Sequence, residues 1–338
     1  MKGAQMSALR LGIVGPGLIW DNRHRGVVLS MPESFEVAAF SSRTEATLRK
    51  AGGQVPQARL FTDYSELFRS PEVDAVVLLT PIPLNGRLTL EALDAGKPVF
   101  VEKPFALSTE EGRSIVEAET RTGYPVYVLE QAPYAPVWDR IAADISAGRI
   151  GQPATYERVK HVFLDAEEDQ TSGYGQTQWR IDTQFPLGNL FDGGIHDLAV
   201  YAKLFGSPKR VRARGRSFRE SYGEYDQVSM LFSYPDGMTG YYSHSALLGG
   251  ERNYFTIRGT EGLIHVSENE RVLESKRGTR EELPGDGGTP HERMWAALAE
   301  AAAAGREAPY TSHNALRDLS LLERIAESLH TDEEVEVG

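Results

Sequence analysis

The stretch LRLGIVGPGL (Leu9–Leu18) decides the fold of the first half of this chain. A run with buried-strand character leads into a Gly-x-Gly turn at Gly15 and Gly17, and Leu18 opens a predicted helix. In such a unit the glycines let the backbone approach a pyrophosphate, and the helix N-terminus favours its charge. A tight structural turn is the alternative explanation. Trp20 stands where the usual third glycine would allow close helix–strand packing, so we expect the helix to sit differently.

The end of the second predicted strand bears on the choice of cofactor. Phe35–Phe40 is apolar, and Ser41, Ser42 and Arg43 follow it, where an acidic residue normally holds the ribose hydroxyls of NAD. Two hydroxyls and a guanidinium suit a 2′-phosphate, because arginine binds phosphate through a fork of charge-assisted hydrogen bonds. We therefore expect NADP to be preferred over NAD. The alternative is a plain turn with serine and Thr44 as helix caps.

Strands and helices alternate along the rest of the first 131 residues. Apolar runs predict further strands over 74–79, 99–101 and 125–129, with helices between them. This alternation predicts an α/β fold with a parallel, doubly wound sheet, whose right-handed crossovers bring the carboxyl ends of its strands to one edge. Ligands bind at that edge in open α/β sheets, so we expect a site formed by the residues that follow the strands: Gly15, Ser41, Thr80 and Lys103.

One of these strand ends carries Glu102, Lys103 and Pro104. A lysine there is either an ordinary surface charge or a group that handles a proton. Because lysine is mostly exposed in proteins, the three residues taken alone favour the surface charge.

In the second part of the chain, extended runs follow one another without intervening helices. They predict a large, mostly antiparallel sheet with one face against helices. We therefore predict a Rossmann domain over residues 1–131 and an α+β domain over residues 132–338. The other sheet face carries apolar and aromatic groups, such as Tyr241, Tyr254 and Phe255. A broad half-apolar face of this kind predicts a homodimer or a homotetramer.

One segment of the second domain combines residue types used in proton transfer. Asp192 and His196 stand four residues apart at a predicted helix start, which puts both side chains on one face. Gly193 and Gly194 leave room for a ligand to approach. Histidine exchanges a proton near neutral pH, and a carboxylate one turn away can hold its ring in one tautomer. A hydrogen-bonded helix-cap histidine is the alternative.

Together these motifs resemble those of the glucose–fructose oxidoreductase and inositol dehydrogenase family, Gfo/Idh/MocA. The resemblance covers essentially the whole chain. Its motifs here are Gly15-Pro16-Gly17, Thr80-Pro81, Ala95-Gly96-Lys97-Pro98 with Glu102-Lys103-Pro104, and Asp192-x-Gly194-x-His196 after Trp179-Arg180. The Ala-Gly-Lys, strand, Glu-Lys-Pro block is specific to the family, whereas an isolated Glu-Lys-Pro is not.

The resemblance implies reversible oxidation of a secondary hydroxyl on a sugar, inositol or related polyol by a nicotinamide cofactor. It implies that Lys103, Asp192 and His196 form the catalytic group. In that reading His196 accepts the hydroxyl proton, Lys103 stabilises the developing alkoxide, and Asp192 orients or charge-balances the pair. It also motivates the expectation that the peptide bond between Lys103 and Pro104 is cis.

The expected contact residues extend around this group. The predicted cofactor-binding residues are Gly15, Gly17, Leu18, Ser41, Ser42, Arg43, Thr80, Pro81, Asn85, Glu102, Lys103 and Arg180. The weaker candidates for substrate contact are Tyr156, Trp179 and Asp182.

Three departures from the family pattern bear on the pocket. Asn85 stands where the family often has a histidine, which is expected to alter a cofactor contact without abolishing binding. The glycine run before Asp192 is reduced to Gly188-Asn189. The aspartate often found three residues past the histidine is Ala199, although Asp197 adjoins His196.

Composition excludes several other functions. The formal net charge is −12, which argues against nucleic acid or an anionic membrane as the main partner. The chain has no cysteine, so disulfides, thiolate nucleophiles and cysteine-ligated zinc are excluded, and the histidine spacing predicts no metal site. No apolar run reaches the length of a signal or membrane segment, so we expect a cytoplasmic protein.

Two other functions stay open on the same fold. Some relatives use a tightly held NAD for transient oxidation followed by elimination or glycosidic cleavage. A sugar- or dinucleotide-sensing regulator is the non-enzymatic alternative; loss of Lys103 or His196 would favour it, and both are present.

Overall fold

The structure, a computed structural model, describes residues 8–165, 173–250, 253–283, 285 and 287–338. The chain forms two compact units. The first contains the residues up to Gln131 together with His291–Arg317, and the second contains Ala132–Pro290 together with Asp318–Gly338. Residues 291–317, which we predicted to belong to the second domain, pack with the first unit.

The first unit is built on a parallel sheet of six strands, as predicted. The strands are β1 (Leu9–Val14), β2 (Phe35–Ser41), β3 (Arg59–Phe61), β4 (Ala75–Leu78), β5 (Val99–Glu102) and β6 (Val126–Leu129). Their spatial order is β3-β2-β1-β4-β5-β6, so the order reverses between β1 and β4. In sheets of this kind the reversal marks the crevice that receives a ligand.

Helices connect these strands. They are α1 (Arg25–Leu29), which continues a π-helical segment over Trp20–His24, then α2 (Glu45–Gln54), α3 (Tyr64–Arg69), α4 (Ile82–Asp94) and α5 (Thr109–Thr122). Two of these helices begin with a side-chain cap. The Asp63 carboxylate accepts a hydrogen bond from the Ser65 amide, and the Ser108 hydroxyl accepts one from the Glu111 amide.

The second unit contains a mixed sheet of nine strands. The strands are β7 (Pro153–His161), β8 (Arg210–Arg216), β9 (Gln227–Ser233), β10 (Thr239–Ser245), β11 (Tyr254–Gly259), β12 (Gly262–Ser267), β13 (Arg271–Ser275), β14 (Arg280–Glu282) and β15 (Val335–Glu336). Their order is β14-β13-β12-β11-β7-β10-β9-β8-β15. Within the described part of this nine-stranded sheet, only the pair of β7 and β10 is parallel, which confirms the predicted, mostly antiparallel sheet.

Helices pack on one face of this sheet. They are α6 (Pro136–Ser146), the short α7 (Gln178–Ile181) and α8 (Ile195–Phe205), which continues a π-helical segment over Leu190–Gly194. Aromatic side chains fill the layer between: Tyr201 of α8 lies 4.8 Å from Tyr156 of β7, and Trp138 of α6 lies 5.8 Å from Phe255, between ring centroids.

The opposite sheet face is only partly apolar. Leu231 and the Tyr241 beside it on the next strand are exposed. Phe255 was expected on this face, but it is buried in the helix-facing layer, because side chains alternate along a strand and Tyr254 takes the outer position. That a second copy of the chain covers the outer face stays a prediction.

Two long helices precede the last strand, α9 (Pro290–Ala304) and α10 (Ser312–Thr331). Trp295 of α9 explains why this helix belongs to the first unit. Its indole stacks on Phe100 of β5 at a centroid distance of 5.5 Å and meets the Phe35 ring edge-on at 5.2 Å. Among the described residues, no helix combines the length and apolarity that crossing a membrane requires.

Candidate active site

The turn after β1 has the geometry of a dinucleotide cradle. Gly15 has a φ of 77°, and a Cβ there would lie 2.9 Å from the Leu79 carbonyl oxygen, so packing requires glycine. At Gly17 the nearest neighbour of such a Cβ is 3.9 Å away, so packing does not require glycine. The space beside Gly17 lies at the helix N-terminus that Leu18 opens, where a pyrophosphate fits.

The helix after this turn is not a regular α-helix. This agrees with the expectation from Trp20, which replaces the third glycine of the motif. Trp20 begins the π-helical segment, is buried, and packs edge-on against Phe40 of β2 at 5.7 Å. Its indole donates a 3.1 Å hydrogen bond to Gln54 Oε1. The wider π-turn accommodates a large side chain where a glycine would allow closer packing.

The three predicted phosphate-binding residues at the end of β2 differ in exposure and in hydrogen bonding. Ser41 is buried, and the Ser42 hydroxyl accepts a 3.2 Å hydrogen bond from the Thr44 amide, as a local turn does. The Arg43 guanidinium is exposed, and no described residue hydrogen-bonds or ion-pairs with it. Arg43 is thus the one of the three that is placed to meet an anion.

The ends of β4 and β5 are joined through a buried amide. Thr80 donates a 2.8 Å hydrogen bond to Asn85 Oδ1, and Asn85 Nδ2 donates to the carbonyls of Glu102, at 3.0 Å, and Pro104, at 2.9 Å. These bonds bracket Lys103. Direct contact of Asn85 with a cofactor would require this fully buried amide to exchange a partner, so the structure supports a bracing role for it instead.

The peptide bond between Lys103 and Pro104 is cis, which confirms the expectation. Lys103 is part-buried at the end of β5, on the same sheet edge as the Gly15 turn. Its backbone amide lies 3.1 Å from Glu102 Oε2.

The Glu102 carboxylate has partners that the sequence analysis missed. Its Oε1 lies 2.7 Å from Nε2 of the fully buried His24, and Trp295 Nε1 donates a 3.0 Å hydrogen bond to His24 Nδ1. Burial would raise the pKa of Glu102, but His24, Lys103 and His291 together hold it below its ordinary value. Glu102 is therefore a carboxylate at neutral pH.

In the second unit, Asp192 and His196 lie across a change of helix type. Asp192 belongs to the π-helical segment and His196 to the first turn of α8, so the regular helix start that the spacing predicted is wrong. π-Turns of this kind occur often at functional sites. His196 is part-buried, and Asp192 is almost wholly buried.

Asp192 is held by an arginine from α7. Arg180 Nε lies 2.7 Å from Asp192 Oδ2. The guanidinium also packs over the rings of Trp179, 4.0 Å from its centroid, and Tyr174, at 5.0 Å. These contacts fix the plane of the guanidinium, and they give Asp192 a counter-charge. Asp182 is exposed and accepts a hydrogen bond from Gln178.

The residue after His196 anchors the helix to the sheet. Asp197 Oδ1 lies 2.9 Å from Arg158 Nε, and its Oδ2 lies 3.0 Å from Lys160 Nζ. The Tyr242 hydroxyl donates to Oδ2 at 2.9 Å. Burial would raise the pKa of Asp197, but these two cations and the hydroxyl hold it well below its ordinary value. Asp197 thus serves as a structural anion beside His196.

A buried histidine extends this network. His244 Nδ1 lies 2.9 Å from the Tyr242 hydroxyl, and Nε2 lies 3.0 Å from the Asn189 side-chain amide. Burial first, and then the charge of Lys160, lower the pKa of His244 to about 3. The ring is neutral at any working pH. Asn189, which stands in the family's glycine run, thus links the π-helical segment to β10.

One weak substrate candidate is wrong. Tyr156 is buried in the aromatic layer, stacked on Phe205 at 5.0 Å, and its hydroxyl lies 3.2 Å from that of Tyr234. The strand contributes Arg158 and Lys160 to the site region instead, two and four residues further along the same face. Within the described ranges, no cluster of three His, Asp or Glu side chains is placed to hold a metal ion.

Comparison with known proteins agrees with this architecture. Residues 9–130 match the oxidoreductase family with an NAD-binding Rossmann fold, and residues 138–265 match the GFO/IDH/MocA C-terminal domain. An oxidoreductase of Thermotoga maritima has a solved structure that superposes with a TM-score of 0.89 at 28% identity, covering 98% of both chains.

Two curated relatives from Bacillus subtilis (strain 168) are named for different cofactors, one for NAD and one for NADP. The scyllo-inositol 2-dehydrogenase (NAD(+)) is 26% identical over 82% of this chain and 80% of its own length. The scyllo-inositol 2-dehydrogenase (NADP(+)) IolW is 27% identical over 69% of this chain and 62% of its own length. With both family models matched in order, the chain belongs to the Gfo/Idh/MocA family and is a nicotinamide-dependent oxidoreductase.

Proposed function

We propose that this enzyme interconverts a secondary alcohol and a ketone on a sugar, inositol or related polyol, with NADP preferred over NAD. The observation that carries the proposal is the Lys103 turn. Its lysine is braced by Asn85 and Glu102 at the sheet edge that also holds the Gly15 turn. Such bracing from buried groups is expected for a side chain that must meet a reacting oxygen, and a surface charge needs none of it.

The chemistry assigns a different task to each side chain. A bound nicotinamide would supply the hydride acceptor or donor. His196 takes the proton from the substrate hydroxyl as general base, and returns it in the reverse direction. The Lys103 ammonium stabilises the negative charge that develops on the same oxygen. Neither step requires a metal ion.

Asp192 serves this pair as a fixed negative charge. Its ion pair with Arg180 holds the carboxylate in one orientation, so that it can balance the charge of a protonated His196. In this proposal Arg180 acts through Asp192 and Trp179. Arg180 Nε already faces the carboxylate, so the proposed mechanism does not require Arg180 to bind the cofactor directly.

The cofactor preference rests on Arg43. Its exposed guanidinium, which no described residue engages, can form charge-assisted hydrogen bonds with a 2′-phosphate. Neither Ser41 nor Ser42 offers a comparable group, because the first is buried and the second caps a turn. Relatives of both cofactor types are known, so binding measurements decide this point.

The substrate class is proposed from chemistry and relatives together. Curated relatives are named as dehydrogenases of scyllo-inositol, of trans-1,2-dihydrobenzene-1,2-diol and of D-apiose, and each of these compounds carries hydroxyl groups on neighbouring carbons. The test is a panel of sugars, inositols and sugar acids, followed at the nicotinamide absorbance with both cofactors. Net reduction of NADP by a member of the panel supports the proposal. Cofactor that stays bound without net turnover favours the lyase alternative.

A further inference from the structure

A buried chain of contacts leads from α9 to Lys103 within the first unit. Trp295 Nε1 donates a 3.0 Å hydrogen bond to His24 Nδ1, and His24 Nε2 lies 2.7 Å from Glu102 Oε1. The second carboxylate oxygen, Oε2, lies 3.1 Å from the Lys103 amide nitrogen. Trp295 and His24 are fully buried, and Glu102 nearly so.

The indole fixes the tautomer of the imidazole. Trp295 Nε1 can only donate, so His24 Nδ1 accepts and carries no proton. The ring proton of a neutral His24 then lies on Nε2, which donates to Glu102. The ring is held between a donor and an acceptor, and it presents one fixed N–H to the carboxylate.

The groups that face this carboxylate come from three elements. They are His24 from the π-helical segment, Lys103 next to Glu102, and His291 from α9, whose ring lies 5.7 Å from that of His24. A buried carboxylate costs free energy unless it is paired. An apolar residue would fill the same core site without that cost, so a buried carboxylate here indicates a role beyond packing. The adjacent Lys103 is the group on which it can act.

His24 also connects two neighbouring segments of the first unit. His24 ends the helical segment that follows the Gly15 turn, whereas Glu102 ends β5. The hydrogen bond between them ties the predicted pyrophosphate-binding turn to the strand end that carries Lys103.

We propose that His24 and Glu102 form a positioning pair for Lys103, in which Trp295 holds the imidazole in one tautomer and the carboxylate orients the lysine. This inference rests on the proposed function of Lys103. His24 itself touches neither substrate nor cofactor in the proposal, and it acts through Glu102.

The kinetic test compares two substitutions at one position. His24→Leu keeps the volume and removes the donor, whereas His24→Gln places an amide N–H where Nε2–H stood. We expect His24→Leu to lower kcat about 10- to 100-fold and His24→Gln to restore most of it. The acid limb of the kcat profile should move to higher pH in His24→Leu, because the pKa of Glu102 rises without its donor.

Trp295→Phe tests the tautomer separately, with Trp138→Phe as the matched control. Trp138 packs on Phe255 in the second unit. Trp295→Phe should lower kcat with little change in KM, and Trp138→Phe should leave both unchanged. A purely structural His24 would lower the melting temperature in these variants without moving the pH profile of the folded protein, and that result overturns the proposal.

Two measurements without substrate separate this inference from the proposed function. In the wild-type protein, ¹⁵N NMR of the His24 ring should show the proton on Nε2; a proton on Nδ1 contradicts the tautomer assignment. Acylation of the Lys103 amine, followed by mass spectrometry across pH, should have a lower midpoint pH in Glu102→Gln than in wild type. An unchanged midpoint means that Glu102 does not act on Lys103, whatever substrate the enzyme turns over.

Discussion

The Lys160 ammonium lies 3.0 Å from Asp197 Oδ2 and donates a 3.3 Å hydrogen bond to the Gly193 carbonyl. One side chain of β7 therefore holds both the π-helical segment and the first turn of α8, on either side of His196. A π-turn weakens the regular helical bonding of nearby carbonyls, and a lysine donor restores part of it. The position of His196 thus depends on a sheet residue distant from it in sequence.

Replacing Lys160 should disturb catalysis as well as stability. Lys160→Met keeps the packing of the stem and removes the charge, so His196 loses its anchor. We expect turnover to fall on the order of tenfold to a hundredfold, since small misplacements of a reacting group are costly. Steady-state kinetics check this, with Lys203→Met as the control. The Lys203 ammonium contacts the Pro133 carbonyl and the Asp139 carboxylate. Its loss should therefore lower stability and leave turnover unchanged. Equal turnover in wild type and Lys160→Met would reject the anchoring role.

Breaking the ion pair of Arg180 and Asp192 should strongly destabilise the second unit. Both side chains are largely buried, and removing one partner of such a pair typically costs about 3–5 kcal/mol. Arg180→Lys keeps the charge and loses the planar packing on Trp179. Its free energy of unfolding should therefore lie between those of wild type and Arg180→Ala. Urea unfolding measures these differences. The double variant Arg180→Ala, Asp192→Asn should cost less than the two single changes added together, and strict additivity would show that the two residues do not interact.

Acidification should destabilise the fold through His244. Its pKa is about 3 in the folded chain, against about 6.5 when unfolded, so the unfolded state binds a proton that the folded state excludes. The contribution of His244 to the free energy of unfolding is fully present above about pH 6.5. It is lost as the pH falls towards 3, by up to about 1.4 kcal/mol per pH unit.

Unfolding midpoints at pH 7 and pH 5.5 test this for His244→Gln. The variant should be less stable at pH 7 and should lose less stability on acidification than wild type does. His265→Gln, a change on the part-exposed outer sheet face, should keep the wild-type loss. If His244→Gln shows the same loss as wild type, then His244 is not the group that excludes the proton.

Arg43 should decide between the two cofactors. A hydrogen bond to a charged group contributes about 1.5–3 kcal/mol, so Arg43→Ala should weaken NADPH binding about 10- to 100-fold. NADH binding should change little. Titration of the protein with each cofactor gives the dissociation constants, and Arg49→Ala, on the exposed face of α2, is the control. Tighter binding of NADH than of NADPH by the wild-type protein would contradict the preference.

Local patterns in the sequence predicted the first unit well. The parallel sheet, the Gly15 turn and the cis bond before Pro104 all follow from contiguous motifs. Short strands with charged residues, such as β13 and β14, gave no apolar run to recognise. The π-helical segments at Trp20 and Leu190 also have no signature in hydrophobic spacing, because an α-helix of the same length shares it.

The networks behind the site could not be predicted for a different reason. His24 meets Trp295 across 271 residues of sequence, and Lys160 meets Asp197 through the register of a strand whose inner face was not assigned. A one-residue change of register would turn Arg158 and Lys160 to the opposite face of the sheet. Histidines and lysines in such places look like surface residues until packing fixes their partners. Tyr156 shows the converse error, a polar residue whose hydroxyl is satisfied in the core.

In the proposed mechanism, Lys103 meets the reacting oxygen of a polyol while a nicotinamide exchanges the hydride. The most direct measurement compares wild type with Lys103→Ala on the panel member that reduces NADP, together with NADPH binding by both proteins. General acid–base and electrostatic groups contribute about 10²- to 10⁴-fold, so Lys103→Ala should lose turnover by that order and still bind NADPH. Lys103→Ala with wild-type turnover would contradict the account.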